Sequence, residues 1–217
     1  MELSLLFSQL CLHLMKQITI MSTEKEPVLH EDKQFSNVNY SEKKLGKLEF
    51  VKCEFVNCDF SKSDLRDGDF IDCHFKDCNF SMAILNGTGL KDIIFTGCKL
   101  LGVDFTRCNK FLFSFTFNKC YLDYSTFLGT KLKKTSFLGC SLKEVDFSEA
   151  DLSLAVFDNS DLSAARFSNT NLEKTDFRTA INFGIDPAVN RMKKTKFLVS
   201  NLSGLLQNYD LDISYDS

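Results

Sequence analysis

Large apolar residues fall at every fifth position along most of this chain. The series runs Phe35, Tyr40, Leu45, Phe50, Phe55, Phe60, Leu65, Phe70, Phe75, Phe80, Leu85, Leu90, Phe95, Leu100 and Phe105. It slips by two residues and resumes as Leu112, Phe117, Leu122, Phe127, Leu132, Phe137, Leu142, Phe147, Leu152, Phe157, Leu162, Phe167, Leu172 and Phe177, giving 29 units in all. A period of five belongs neither to an α-helix nor to a flat strand, so helix and strand templates both fail. The repeat itself decides the architecture.

The residues between the large ones follow a rule too. Two positions before each centre stands a small or thin residue, such as Cys53, Cys58, Ser63, Gly68, Cys73, Cys78, Ala83, Thr88, Ala150, Ala155, Ser160 and Thr170. The position just before the centre is often Asp or Asn, and the two after it are mostly polar. Each unit thus has one large and one small inward position with an outward one between them. A chain that turns a corner every five residues has this pattern, and four corners close a square coil. Recurrences at 20 residues support four walls: Leu45, Leu65 and Leu85; Cys58, Cys78 and Cys98; Cys120 and Cys140. In the second half Leu and Phe alternate, so each wall should stack one residue type. Coils at the ~4.8 Å β-strand spacing give a rod of roughly 34 Å over about seven coils. Its filled bore is the main driving force, at ~1.5–3 kcal/mol per buried large side chain.

The units CEFVN, CDFSK, SDLRD, CNFSM, ADLSL and SDLSA resemble the pentapeptide repeat family, whose consensus is A(D/N)LXX. The resemblance covers about residues 33–180 and implies an all-β fold, a right-handed quadrilateral β-helix. Residues 1–32 are then an N-terminal extension and 181–217 a C-terminal cap. Residues 1–20 are apolar but lack a basic start and a small-residue cleavage site, so they fit a signal peptide poorly. They are also too short and too polar for a membrane span. Two readings are open: Met21 is the true start, or the segment is an amphipathic helix over the end of the coil.

Past Phe177, Asp186-Pro187 predicts a short helix to about Lys193, with an N-cap acceptor followed by Pro at the first helical position. Phe197 and Leu202 return to the five-residue phase, and GLLQNYDLDIS offers a second short helix. Phe197, Leu202, Leu205, Leu206, Tyr209, Leu211 and Ile213 are the candidate cap and homodimer residues.

Composition and charge narrow the chemistry. Of 217 residues, 22 are Phe, nine Cys, two Pro and none Trp, with a net charge of −3. No overall basic character argues for direct nucleic-acid binding. The three His (His13, His30, His74) belong to no catalytic set. No cofactor or metal motif is present, and a filled bore leaves no substrate pocket, so the expectation is a non-enzyme. Seven of the nine Cys occupy the small inward slot, as buried reduced thiols rather than disulfides or zinc ligands.

The slip is the one break in the beat. In TRCNKFLFSFTFNKCYL, a continued phase puts Lys110 in the bore, and a new phase from Leu112 puts Phe115 in a small slot. Arg107 to Lys143 carries seven Lys or Arg and one acid (Asp123), whereas 49–77 carries eight acids and 144–161 six. Phe111, Phe113, Tyr121, Tyr124, Lys131, Lys133 and Lys134 are therefore the candidate partner-binding residues. The alternative is a repacked coil with solvated lysines outside.

The Asp-Pro segment and the GLL tail resemble the topoisomerase-protecting branch of the family, the Qnr-type quinolone-resistance and microcin-immunity proteins. That resemblance implies a cytoplasmic, dimeric, DNA-mimicking rod that binds DNA gyrase or topoisomerase IV. Two features depart from it. No long loop leaves the repeat, and residues 35–180 hold 20 acids against 19 bases. A scaffold for an unrelated partner is the second reading.

Overall fold

The computed structural model describes residues 28–209, 211, 212 and 214. Readings that concern residues 1–27, and Ile213 in the cap, lie outside this set. The described chain winds as a square coil, a quadrilateral β-helix whose neighbouring turns pair in parallel. Its strands are short: β1 Val28–Glu31, β2 Gln34–Ser36, β3 Leu48–Val51, β4 Glu54–Val56, β5 Asp69–Ile71, β6 His74–Lys76, β7 Gly89–Thr96, β8 Phe113–Asn118, β9 Ser136–Leu138 and β10 Val156–Asp158. Partners stand 20 residues apart, as in Phe50 with Phe70 and Phe55 with Phe75. Single bridges such as Asp59 with Asn79 and Asp64 with Ile84 complete the other two walls.

Four columns of side chains fill the bore. The second wall stacks Phe35, Phe55, Phe75, Phe95, Phe117, Phe137, Phe157, Phe177 and Phe197, with ring centroids 4.7–5.5 Å apart. Eight steps of ~4.8 Å make this column about 38 Å long. It exceeds the length expected from the beat because pairing continues to Asp176 with Lys196. The first wall changes from Phe to Leu at Leu90 and the third at Leu100, while the fourth changes from Leu to Phe at Phe105. A gain of bulk on one wall thus offsets losses on two others.

The corners have a backbone signature. Two residues after most centres the chain enters the left-handed region, as at Lys62 (φ 54), Tyr124 (φ 64), Lys134 (φ 66) and Leu154 (φ 64). Only Gly adopts this conformation without cost, yet most of these corners are not Gly. Stacking must hold them there.

The small slots do more than save space. Cys78 Sγ donates to the carbonyls of Phe55 (3.4 Å) and Lys76 (3.3 Å), and accepts from the amide of Cys58 (3.4 Å). Ser160 Oγ makes the same contacts with Phe137 O (3.0 Å) and Cys140 N (3.0 Å). Cys, Ser and Thr therefore interchange because each offers a small donor to the corner. All eight described cysteines are buried free thiols. Burial pushes the Cys73 and Cys108 thiols up to about 12.

The expected helix after Asp186-Pro187 does not form. Asp186 Oδ1 accepts from the amide of Ala188 (2.8 Å), which closes a single turn. Asn190 Nδ2 donates to the carbonyls of Phe167 and Asp186, both at 2.9 Å, and Asn190 Oδ1 accepts from Thr170 N (2.9 Å). Asn190 thus fills a small slot and continues the coil, which a helix would abandon. The helical cap comes later, as 3-10 turns over Val199–Leu205 and Gln207–Tyr209. Phe197 stacks on Phe177, and Leu205 packs against the core beside it. Gly204 lies directly on Phe183, where a Cβ would meet the Phe183 carbonyl and ring. Leu202, Leu206, Tyr209 and Leu211 face outward.

Candidate functional site

The slip is built from two residues too many. Gly87 donates to the Arg107 carbonyl, 20 residues on, but Leu90 donates to the Leu112 carbonyl, and Phe95 pairs with Phe117. Above the slip the 20-residue spacing returns, with Phe117 opposite Phe137. Without Lys110 and Phe111 the chain would read Cys108-Asn109-Leu112-Phe113-Ser114, a regular unit with slot, Asn, centre and two followers.

The extra pair changes which side chain enters the bore. Phe113, not Leu112, stands opposite Leu90, and Leu112 lies over the bare backbone of Gly89. Phe115 is buried in the small slot, opposite another large occupant, Ile93. No positive φ occurs between Gly102 and Lys119, so two successive corners are missing and β8 runs straight through.

The coil above meets this distorted turn imperfectly. Among the described residues no bridge or backbone hydrogen bond joins 109–114 to 130–134. In a regular coil the central outward residue donates its amide and offers its carbonyl to the turn below, as Asp151 does with the amide to Thr130 O (2.9 Å). Lys131 occupies that position, and its amide and carbonyl have no protein partner on the slip side. A cavity of ≈80 Å³ opens there between Phe105, Cys108, Lys110, Phe113 and Lys131. It adjoins a groove of ≈370 Å³ lined by Asp92, Phe113, Ser114, Lys131, Lys133 and Lys134.

The structure divides the seven candidate residues between two walls. Phe113, Lys131, Lys133 and Lys134 line the groove on the first wall, and Phe111, two residues before Phe113, is 96% exposed and outside that lining. Tyr121 and Tyr124 lie on the third wall, where Tyr121 pairs with Lys99 and Ser141, and both are exposed. They are not part of the groove.

Several cations reach acids across adjacent coils: Arg166 to Asp146 (2.9 Å), Arg191 to Glu173 (3.2 Å), Lys62 to Glu42 (3.6 Å) and Lys196 to Asp176 (3.6 Å). Among the described residues Lys110, Lys131, Lys133 and Lys134 have no ion pair. Asp151, next to Lys131 on the ladder, is engaged by Ser153 N (3.0 Å) and Asn171 Nδ2 (2.8 Å). Asp92 accepts from Ser114 Oγ (2.9 Å). The free backbone edge of Lys131 was missed in the sequence, although the surplus Lys110-Phe111 within an otherwise regular unit signals it.

Several solved structures resemble the coil. A trypsin-treated form of QnrB1, a plasmid-mediated fluoroquinolone resistance protein, is 20% identical with a TM-score of 0.44, covering 86% of this chain and 100% of that one. HetL, a pentapeptide repeat protein involved in heterocyst differentiation regulation from the cyanobacterium Nostoc sp. strain PCC 7120, is 14% identical with a TM-score of 0.46, covering 83% and 90%. Rfr23 from the cyanobacterium Cyanothece 51142 is 10% identical with a TM-score of 0.26, covering 80% and 89%. No curated protein sequence matches. The family model described as "Pentapeptide repeat region" matches residues 48–127, and "Pentapeptide repeats (8 copies)" matches 140–178. Together these spans take in more than half of the chain, which belongs to the pentapeptide repeat family.

Proposed function

We propose that this protein is a non-enzymatic rod that binds DNA gyrase or topoisomerase IV in the cytoplasm and protects it from quinolones or peptide toxins. The observation that carries the proposal is a rigid coil presenting fixed carboxylates. Asp59, Asp104, Asp146, Asp151 and Asp161 each stand one residue before a bore side chain. Each is locked by the backbone amide two residues on, at 2.9–3.1 Å. They lie on three walls, Asp59 and Asp161 on the third, Asp104 and Asp146 on the fourth and Asp151 on the first, as fixed anionic points that a DNA-binding surface can accept in place of phosphates. The outward Leu202, Leu206, Tyr209 and Leu211 supply the apolar face for a homodimer, which would double the rod.

Gyrase supercoiling with and without ciprofloxacin, across a titration of the protein, tests the proposal. Rescue from the drug, or direct inhibition weakening as salt rises, is expected. Neither effect on gyrase nor on topoisomerase IV would refute it. Sedimentation of the wild type and of Leu206→Asp tests the dimer: the wild type should be dimeric and the variant monomeric. The second reading, a scaffold for an unrelated partner, is favoured by one observation: the unpaired lysines of the first wall interrupt any duplex-like charge pattern.

A further inference from the structure

The groove at the slip combines three properties. Its upper edge is a backbone without a partner: the Lys131 amide and carbonyl point toward the slip, and the Lys133 carbonyl lacks the amide that the corner below supplies in regular coils. Tyr124 N to Lys143 O (2.9 Å) and Leu154 N to Glu173 O (2.9 Å) show that regular contact. Its flank carries Lys131, Lys133 and Lys134, none of them ion-paired among the described residues, against one carboxylate in the lining, Asp92, which accepts from Ser114 Oγ. Its lining includes the half-buried Phe113, and Phe111, two residues earlier in the chain and outside the lining, is almost fully exposed.

The geometry points to a binding site for a short, extended, acidic segment of a partner protein, which pairs with the free edge of Lys131 as an added strand. Backbone hydrogen bonds to Lys131 and Lys133 would hold the segment. Its carboxylates would meet the three ammonium groups, and one apolar side chain would cover Phe111 and Phe113. Strand addition draws affinity from the main chain and selectivity from side-chain pockets. A nucleic-acid strand fits less well. The cationic layer is one coil deep, and the same wall carries Glu49, Asp69, Asp72 and Asp92 below it, which would repel a longer polyanion. The site does not depend on the topoisomerase proposal: the gyrase assay and the one below can fail separately.

The test is fluorescence anisotropy on the full chain. The probe is a fluorescein-labelled pool of nine-residue peptides, with Asp or Glu at the six outer positions and Leu, Ile or Phe at the central three. Saturable binding is expected, at least ~10-fold weaker for the Lys131→Ala/Lys133→Ala/Lys134→Ala protein and for Phe111→Ala. These side chains are solvent-exposed, so the variants keep the fold, which circular dichroism would verify. Methylation of the central peptide amides should also abolish binding, as a purely electrostatic contact would not require. Equal binding by the triple variant, by a Lys-for-Glu pool or by the methylated pool would overturn the proposal, as would stronger binding of oligothymidylate. Absence of any saturable binding would overturn it too.

Discussion

The coils from Phe147 to Phe177 and the segment from Arg107 to Lys134 are made of the same five-residue unit, yet they behave differently. In the first region every slot is small, and cations such as Arg166 find acids one coil away. In the second, two added residues remove two left-handed corners, push Phe115 into a slot and leave the Lys131 edge unpaired. The lesson concerns tolerance. The bore absorbs large errors, because Ile93 and Phe115 are both buried. The backbone ladder does not, because it needs strict register between coils. Surplus sequence therefore appears as an open edge on the surface rather than as a hole in the core.

The largest test of this contrast compares two phenylalanines. Phe137 is fully buried in the nine-ring column, so Phe137→Ala should cost about 3–5 kcal/mol in denaturant unfolding. Phe111→Ala should cost about 0.5 kcal/mol or less, because its ring covers nothing. Similar losses at both positions would break the distinction between bore and slip. A smaller effect comes from deleting Lys110 and Phe111 together. The regular unit should re-form, Leu112 should take the bore and the ladder should close. Restoring a few hydrogen bonds at ~0.5–1.5 kcal/mol each should raise stability by about 1–2 kcal/mol. Peptide binding should disappear, and a less stable protein would count against the repair.

The corners sharpen the comparison at a lower level. Leu154 holds φ 64 in a regular coil, so Leu154→Gly should stabilise by about 0.5–1 kcal/mol. The gain is the left-handed cost of ~1–2 kcal/mol less the greater freedom of an unfolded Gly. The smallest effect is acid sensitivity. The side-chain hydrogen bonds of Arg66 and Arg178 hold the carboxyls of Asp64 and Asp176 below the ordinary carboxylate range. A depressed folded pKa gives stability that is present above the unfolded value near 3.8 and lost as pH falls through the folded one. Asp176→Asn should therefore lower stability at neutral pH and flatten the profile below about pH 4, so that the variant and the wild type converge at low pH.

Much of this was legible in the sequence. The Phe and Leu beat and the 20-residue recurrence of Cys58, Cys78 and Cys98 specify four walls, because only square stacking puts like residues together. The slip was visible, and so was the cationic run beside it. Three things were not. Period reports which residues face inward but not backbone sign, so the left-handed corners at Lys134 and Leu154 were hidden. Asp186-Pro187 carries a helix-start signal, but Asn190 ties that segment to Phe167 and Thr170 in the coil below, and tertiary contact prevails over the local preference. Tyr121 and Tyr124 are near Lys131 along the chain, yet half a coil separates their walls, with Tyr121 on the ladder of Lys99 and Ser141 and Lys131 on that of Asp151.

Hydrogen exchange at Lys131 tests the central claim most directly. The account predicts that its amide exchanges at least ~100-fold faster than those of Leu132 and Asp151, which donate to Asp151 O (2.8 Å) and Thr130 O (2.9 Å). It also predicts that the acidic peptide pool slows Lys131 selectively. Protection of Lys131 equal to that of Leu132 in the free protein would show that the ladder is closed across the slip, and would contradict the account.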